Sequence, residues 1–467
     1  MPAERSHPPL VCGPPLLIRT ARRLAPLALG LALSLGLAGA ARAQSLFELY
    51  EAARGYDAQY LATRALADSA RYRAEQAHAA RRPNVGATLG ASRSTSDSSS
   101  ADTTTRSTSA NIAGSQSLFN RSNDAAIAQA DKSVEAAKAD VLLAEQELIV
   151  RLSQAYFDVL TAQETLASAQ ANRRAISEQL ASAKRNFEVG TATITDTREA
   201  QARFDLATAQ ELQAENDLTT RSLALDTIVG RSGIAPKPLA TPVELSGLVT
   251  GSAQEWVSPT ENAPAVLRAR VAYDVAQLET AKARAGHLPT VDLNASIGRG
   301  HDSSSGTRVF VPGTPSQPFD SSGSGSSSSI GVTLRVPLFA GFAIQNRVKE
   351  TLLLEEQARE NLEFARRRTT QDTRTAYFGA QSLQAQVKAF EAAEASSQLA
   401  LEATQLGYRV GVRVNLDVLN AQTQLFNARR DLARARNEVL VNSLRLRQAA
   451  GTLSAEDVLR VNQLLAK

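Results

Sequence analysis

The spacing of apolar residues along the chain switches between two periods. Over 123–187 the residues are mostly Ala, Gln, Glu, Leu, Arg and Lys, strong helix formers with little Gly to interrupt them. Apolar positions fall at Val134, Ala137, Val141, Ala144 and Leu148, then at Leu152, Ala155, Val159, Ala162, Leu166 and Ala169. That is heptad spacing with one four-residue step inserted, a stutter that locally unwinds a supercoil. At 1.5 Å per residue such a helix is about 100 Å long. It is expected to break at Gly190 and restart toward Asp196, with Leu206, Leu212, Leu218 and Leu225 carrying a returning helix to Gly230. The plan recurs with a long helix over 344–409, a break at Gly411 and a returning helix over 419–450. Leu425, Ala428, Leu432, Ala435 and Val439 share one stripe of that last helix.

Elsewhere the period falls to two. Val85, Ala87, Leu89 and Ala91 alternate with polar residues or Gly, as do Val291, Leu293, Ala295 and Ile297, and Ile330, Val332, Leu334, Val336 and Leu338. Thr88, Asp292, Asn294, Thr333 and Arg335 fall on the opposite face. Ala110 and Ile112 begin a weaker version that pairs with the first strand as a hairpin. The Ser-, Thr-, Gly- and Asp-rich stretches 94–109 and 301–329 read as long loops outside a membrane. A sheet with one apolar and one polar face suits a water-filled membrane barrel.

The chain is written twice. Ala155-Tyr156-Phe157 returns as Ala376-Tyr377-Phe378, and the same 221-residue offset maps Gly190 onto Gly411, Asp196 onto Asp417, Gln201 onto Gln422 and Gly230 onto Gly451. No proline occurs between Asn84 and Ala235 or after Pro337, so both stretches can hold uninterrupted helices.

Composition narrows the setting. Arg19, Arg22 and Arg23 precede an apolar stretch that ends in Ala41-Arg42-Ala43, the form of a secretory signal over residues 1–43. Cys12, the single cysteine, lies inside it, so the mature chain is expected to have no disulfide and no thiolate metal site. The chain holds 51 Lys and Arg against 47 Asp and Glu, and removing the five basic residues and one acid before Gln44 leaves 46 of each. A neutral mature chain argues against a nucleic-acid partner. No second apolar run is long enough for a transmembrane helix, so strands would be the membrane-spanning elements. Four strands cannot close a barrel, and open edges in hydrocarbon would leave backbone groups unsatisfied. Two chains would supply eight strands, which side chains fill; three would supply twelve and leave a passage.

The duplicated helix, the paired Tyr156-Phe157 and Tyr377-Phe378, Phe187-Glu188-Val189-Gly190 leading to Ile194-Thr195-Asp196, and Gly407-Tyr408-Arg409-Val410-Gly411 leading to the run 416–423 together resemble the TolC family of outer-membrane efflux and type I secretion channels. The resemblance covers nearly the whole mature chain. It implies an α+β membrane protein, a homotrimer whose four strands per chain form a twelve-stranded outer-membrane β-barrel above a long α-helical periplasmic barrel, with internal duplication. Its implied partners are outer-membrane lipid, a periplasmic adaptor (membrane fusion) protein and an inner-membrane pump or ABC transporter.

The implied layout is a signal peptide over 1–43, helical tunnel over 44–81 and 120–286 with a mixed equatorial segment at 231–262, β-hairpins over 82–119 and 287–340, and a second helical repeat over 341–467. The resemblance sets the closed end at the helix breaks, Gly190 and Gly411. Asp417 matches the acid facing the narrowest aperture, where three copies would attract cations. Asn420 stands where relatives carry a second acid, so the aperture should be less negative. Asp196, Tyr408, Arg413 and Gln179 match a gate latch, with a charge-assisted bond expected between Arg413 and Asp196. By local sequence alone, Asp417 reads as an N-cap or first-turn acid of the returning helix.

No phosphate-cradling glycine loop, HExxH pair or nucleophile elbow occurs, so neither an enzyme nor a cofactor is expected. His78 and His287 precede strands and read as boundary residues. The expected function is a passive exit duct opened at its periplasmic tip. The alternatives are a non-conducting, periplasm-spanning coiled-coil scaffold and an adhesin with an anchoring barrel.

Overall fold

The computed structural model describes residues 44–98, 101–240, 245, 247–308 and 314–466; the expected signal peptide lies outside them. In chain order the principal elements are α1 (Leu46–Tyr56), α2 (Ala58–His78), β1 (Asn84–Ser98), β2 (Ala101–Phe119), α3 (Arg121–Glu188), α4 (Ile194–Val229), α5 (Ala253–Val257), α6 (Pro264–Ala285), β3 (Thr290–Arg308), β4 (Gln317–Arg335), α7 (Ala343–Arg409), α8 (Asn415–Ala449) and α9 (Ala455–Asn462). At 68 and 67 residues, α3 and α7 confirm the two long helices. Among the described residues no helix is long and apolar enough to cross a membrane.

Each long helix changes partners along its length. Helix α3 packs on α2 and α6 and on α4 and α8, while α7 packs on α6 and α8. The largest core lies where these sets meet. Leu148, Leu152, Tyr156 and Phe157 of α3 are at most 1% exposed and pack with Leu46 and Leu49 of α1, Leu225 of α4 and Leu440 and Leu444 of α8. Most helical stability at this length comes from such apolar burial and not from intrinsic propensity.

The repeated Tyr-Phe pair has an identifiable job here. The Tyr156 hydroxyl donates to the backbone oxygens of Lys237 (2.9 Å) and Gln44 (3.3 Å). Burial pushes that hydroxyl well above its ordinary pKa, so it remains a donor. Tyr377 donates in the same manner to the Gly251 oxygen at 2.9 Å. Both tyrosines thus clasp the segment that joins the two halves. The halves differ in the next residue, since Phe157 is buried and Phe378 is 58% exposed.

The 221-residue offset reappears in backbone geometry. Gly190 and Gly411 have φ of 78° and 79°, and Gly230 and Gly451 have 75° and 77°. A Cβ on Gly230 would lie 2.4 Å from the Tyr56 ring, so that helix end needs glycine for space as well as conformation.

The four strands form one antiparallel sheet in the order β1-β2-β3-β4, with register unbroken except between Ser117 and Phe119 of β2. Two expectations are corrected. The stretches read as loops, 94–109 and 301–329, are largely strand: β1 runs to Ser98, β2 starts at Ala101, β3 reaches Arg308 and β4 starts at Gln317. Backbone pairing holds them without apolar alternation, and small hydroxyls bond across strands, as between Thr105 and Ser304 (3.0 Å) and between Ser296 and Ser329 (2.9 Å). On α4 only part of the leucine series is buried: Leu225 is 0% exposed and Leu218 packs on the main core, whereas Leu206 is 54% and Leu212 63% exposed. Ala200, Ala207 and Ala214 are buried instead. Small residues let antiparallel backbones approach closely, and this outweighs the larger apolar area of leucine.

Near the sheet one carboxylate joins three helices. Glu279 of α6 accepts from Gln129 of α3 (2.9 Å) and from Arg347 of α7 (2.7 Å), with Lys282 at 3.3 Å. The Gln129 donor chiefly, helped by Arg347 and Lys282, holds the Glu279 pKa below the ordinary range. A carboxyl whose pKa folding depresses adds stability above its unfolded pKa and loses it as pH falls through the folded one. Glu279→Gln is therefore expected to lower the thermal midpoint at neutral pH, with the difference from wild type vanishing once pH falls below the ordinary glutamate range. A constant difference across that range would contradict the ion-pair account.

Tyr156→Phe is expected to cost about 1–3 kcal/mol, because two backbone acceptors lose their shared donor. Tyr377→Phe should cost less, since one backbone acceptor is affected and Gln381, which donates to the same hydroxyl at 3.1 Å, is exposed and can turn to water. Urea titration followed by fluorescence of Trp256, the single Trp, reads both; equal costs would contradict the clasp reading.

Candidate functional site

The residues singled out in the sequence gather at the two turns where long helices reverse. In the first turn α3 ends at Glu188, Gly190 takes the left-handed conformation, and the Thr191 and Ala192 amides donate to the Asn186 oxygen at 2.8 and 3.2 Å. In the second, Gly411 does the same after α7, and the Val412 and Arg413 amides donate to the Gly407 oxygen at 2.9 and 3.1 Å. Asn186 and Gly407 are themselves 221 positions apart. Glycine suits C′ because a Cβ there would cost about 1 kcal/mol.

The returning helices begin differently. Thr193 caps α4 and accepts from the Asp196 amide, while the Asp196 carboxylate accepts from the Thr193 amide at 2.9 Å, completing a capping box. At α8 the N-cap is Val414, which has no capping side chain. Asp417 is therefore a first-turn acid and not the cap, and its carboxylate is left to pair with Arg413 at 3.6 Å. Both side chains are more than a third exposed, so this pair is worth under about 1 kcal/mol.

The expected latch is thus divided within one chain. Arg413 pairs with Asp417, Asp196 is engaged by Thr193, and no Arg413–Asp196 ion pair forms among the described residues. Tyr408 is half-buried and its hydroxyl accepts from Asn186 Nδ2 at 3.2 Å, tying one helical hairpin to the other. Asn420 accepts from Arg203 of α4 at 3.2 Å. Gln179 Oε1 is buried and makes no hydrogen bond among the described residues. Below these contacts Ile176, Ala207 and Leu419 form one small core, and Leu401, Val418 and Leu425 another.

Two residues of this network, Asn186 and Arg203, did not stand out in the sequence, and the role of Gly407 within its motif was not read there. Asn186 and Arg203 are ordinary helix-surface polar residues by type, although the offset from Asn186 to Gly407 was available as a signal. Gly407 lies against Arg413, and a Cβ on it would come 2.8 Å from Arg413 Cγ. Around both turns Val189, Val410, Val412 and Val414 are 58–78% exposed, a concentration of apolar surface at one end of the helices. Among the described residues no group of His, Cys, Asp and Glu could hold a metal ion.

Known proteins place this geometry in a wider group. The family model described as outer membrane efflux protein matches residues 49–231 and 259–452. The chain is 33% identical over 442 residues to the outer membrane protein TolC of Vibrio cholerae serotype O1, covering 94% of this chain and 98% of that protein. It is 34% identical over 317 residues to the alkaline protease secretion protein AprF of Pseudomonas aeruginosa, covering 67% of this chain and 63% of that one. The crystal structure of the outer membrane protein VceC of Vibrio cholerae superposes with a TM-score of 0.72 at 20% identity, covering 87% and 96%.

The two turn glycines carry backbone strain if replaced, whereas Gly407 provides only space. Gly411→Ala is expected to raise hydrogen exchange at the Val412 and Arg413 amides by about tenfold, since a left-handed alanine costs roughly 1–2 kcal/mol. Gly407→Ala should leave those amides protected and move only the Arg413 side chain. Equal exchange in both variants would contradict this division.

Proposed function

The chain belongs to the outer membrane efflux protein family, and from that premise we propose that it is the passive outer-membrane exit duct of a tripartite efflux pump or type I secretion system. It resides in the outer membrane of a Gram-negative cell and extends into the periplasm. The observation that carries the reading is the sheet: Val85, Leu89, Ile112, Ile297, Ile330, Val332 and Leu334 are 52–84% exposed in a four-stranded sheet with two open edges. Exposed apolar rows call for lipid, and open edges call for further copies. Three copies give twelve strands, enough to leave a passage lined by Thr88, Asn294, Thr333 and Arg335. The matching backbone geometry at both turns supports internal duplication of the helical hairpin.

In this reading the α3–α4 and α7–α8 hairpins form the periplasmic tunnel, and their turns close its end. Asp417 and Asn420 border the aperture, and Asp196, Tyr408, Arg413 and Gln179 belong to the latch. The exposed valines of the turns support docking by the adaptor and the inner-membrane transporter, which supply the energy. Opening is then a shift between two packings of α4 and α8, with no chemical step. The intrachain pairing supports one refinement: Arg413 partly neutralises Asp417 while the end is closed.

Single-channel conductance in planar bilayers tests the assignment. Asp417→Ala is expected to reduce cation preference, and Arg413→Ala to raise it by unmasking the acid. Asp196→Ala with Arg413→Ala should give larger openings. Conductance unchanged in every variant would remove the gate residues and leave the duct; a protein that assembles and never conducts would overturn the duct.

A further inference from the structure

The apolar face of the sheet does not simply fade into polar residues; it ends in a stripe of cations. The register places Leu89, Ala110, Arg299 and Ser326 in one cross-strand row, Ala91, Thr108, His301 and Ser324 in the next, and Arg93, Arg106, Ser303 and Ser322 in the third. Directly opposed residues of an antiparallel pair share a face, so Arg93, Arg106, His301 and Arg299 stand on the same side as Val85, Ile112, Ile297 and Ile330. Arg93 and Arg106 are direct cross-strand neighbours, roughly 5 Å apart at Cβ. His301 is the diagonal neighbour of Arg106, roughly 7–8 Å away, and Arg299 follows two residues along β3.

All four side chains are exposed, and none forms an ion pair among the described residues. The acids nearest on this face, Asp320, Asp97 and Asp102, lie one and two rows further out. Like charges directly opposed across strands are destabilising unless a counter-charge is supplied from outside. Their height is equally informative. From Val291, level with Phe119, to Arg299 is eight residues of β3, about 26 Å along the strand and roughly 20 Å in height at the tilt of barrel strands; the Arg93–Arg106 row, level with Ser303, is twelve residues and roughly 30 Å up, so the stripe straddles the top of an apolar band of about 25 Å. The lower limit is marked by Phe119, Phe339 and Phe342, 42–74% exposed, as in an interfacial aromatic girdle. The cations therefore flank the boundary where hydrocarbon ends, Arg299 just below it and Arg93 and Arg106 just above it, on the side away from the helices.

We propose that Arg93, Arg106, Arg299 and His301 form a docking stripe for the phosphate groups of outer-leaflet lipid. The inference rests on the reading of the sheet as part of a membrane barrel. Arginine suits the task, because its planar fork pairs bidentately with phosphate. In an assembly of three copies the stripe recurs around the rim, holding the channel at a fixed depth and supplying the charge that the opposed Arg93 and Arg106 lack.

The test uses the assembled full-length protein in neutral detergent micelles at low salt, titrated with lipid A bearing both phosphates and with the same glycolipid dephosphorylated. Bound lipid is counted by native mass spectrometry. Wild type is expected to prefer the phosphorylated glycolipid. The combined Arg93→Ser, Arg106→Ser, Arg299→Ser variant should weaken that binding about a hundredfold, roughly fivefold for each arginine. The corresponding Lys variant should retain most of the binding, which separates loss of charge from failure to fold. Equal affinity for both glycolipids, or equal binding by wild type and the Ser variant, would overturn the stripe.

A second measurement keeps the underlying reading separate. In a Cys12→Ser background, Ile297→Cys should resist a water-soluble maleimide in bilayers. If it resists while the lipid results are negative, the barrel stands and the stripe falls. If it reacts freely, the membrane orientation of the sheet falls, and the stripe with it.

Discussion

The constraint on which this structure turns is the hydrogen-bonding demand of two strand edges. Strands β1 and β4 each present one row of amides and carbonyls with no strand partner among the described residues, over 15 and 19 residues. In water such edges invite association; in hydrocarbon every unsatisfied group costs several kcal/mol. A single chain is for that reason an incomplete object. Each strand runs at one end into a helical segment, so the placement of the strands also sets where the long helices begin.

What holds the helices in register is concentrated in the middle of their length. The Tyr156 and Tyr377 hydroxyls fasten the connecting segment to the two long helices at equivalent places, and the largest core surrounds the first of them. Away from that belt the packing thins. Toward the turns the cores shrink to three-residue groups joined by single hydrogen bonds such as those of Asn186 and Arg203. Packing is thus densest in the middle of the helices and thinnest at the turns, the distribution that suits the opening proposed for the turns.

The sequence made the helices legible because apolar periodicity, proline exclusion and glycine breaks all pointed the same way. Helices α3 and α7 begin and end within two residues of expectation. It was less legible where backbone hydrogen bonding overrides side-chain pattern. The serine-rich halves of the strands have no alternation to detect, yet the ladder continues through them. The buried alanines of α4 share their phase with Leu218 and Leu225 but were hidden by the more conspicuous Leu206 and Leu212 at other phases of the same helix. At the tip, residue types identified the participants but not their pairing. Arg413 could meet Asp196 or Asp417 by charge alone, and what decides it is that Thr193 already occupies Asp196 whereas Val414 leaves Asp417 unclaimed.

That last difference reaches beyond pairing. The two turns share a backbone path, so an assembly of three chains presents what looks like a ring of six equal corners. They are not equal. The capping box at Thr193 stabilises the start of α4 by about 0.5–2 kcal/mol, and Val414 gives α8 nothing comparable. In the trimer proposed above, firm and yielding corners then alternate around the ring, and its compliance is threefold where its outline is nearly sixfold. On the duplicated, trimeric reading proposed above, the chain keeps the shape of a symmetric collar and gives the first movement to only one of its two copies.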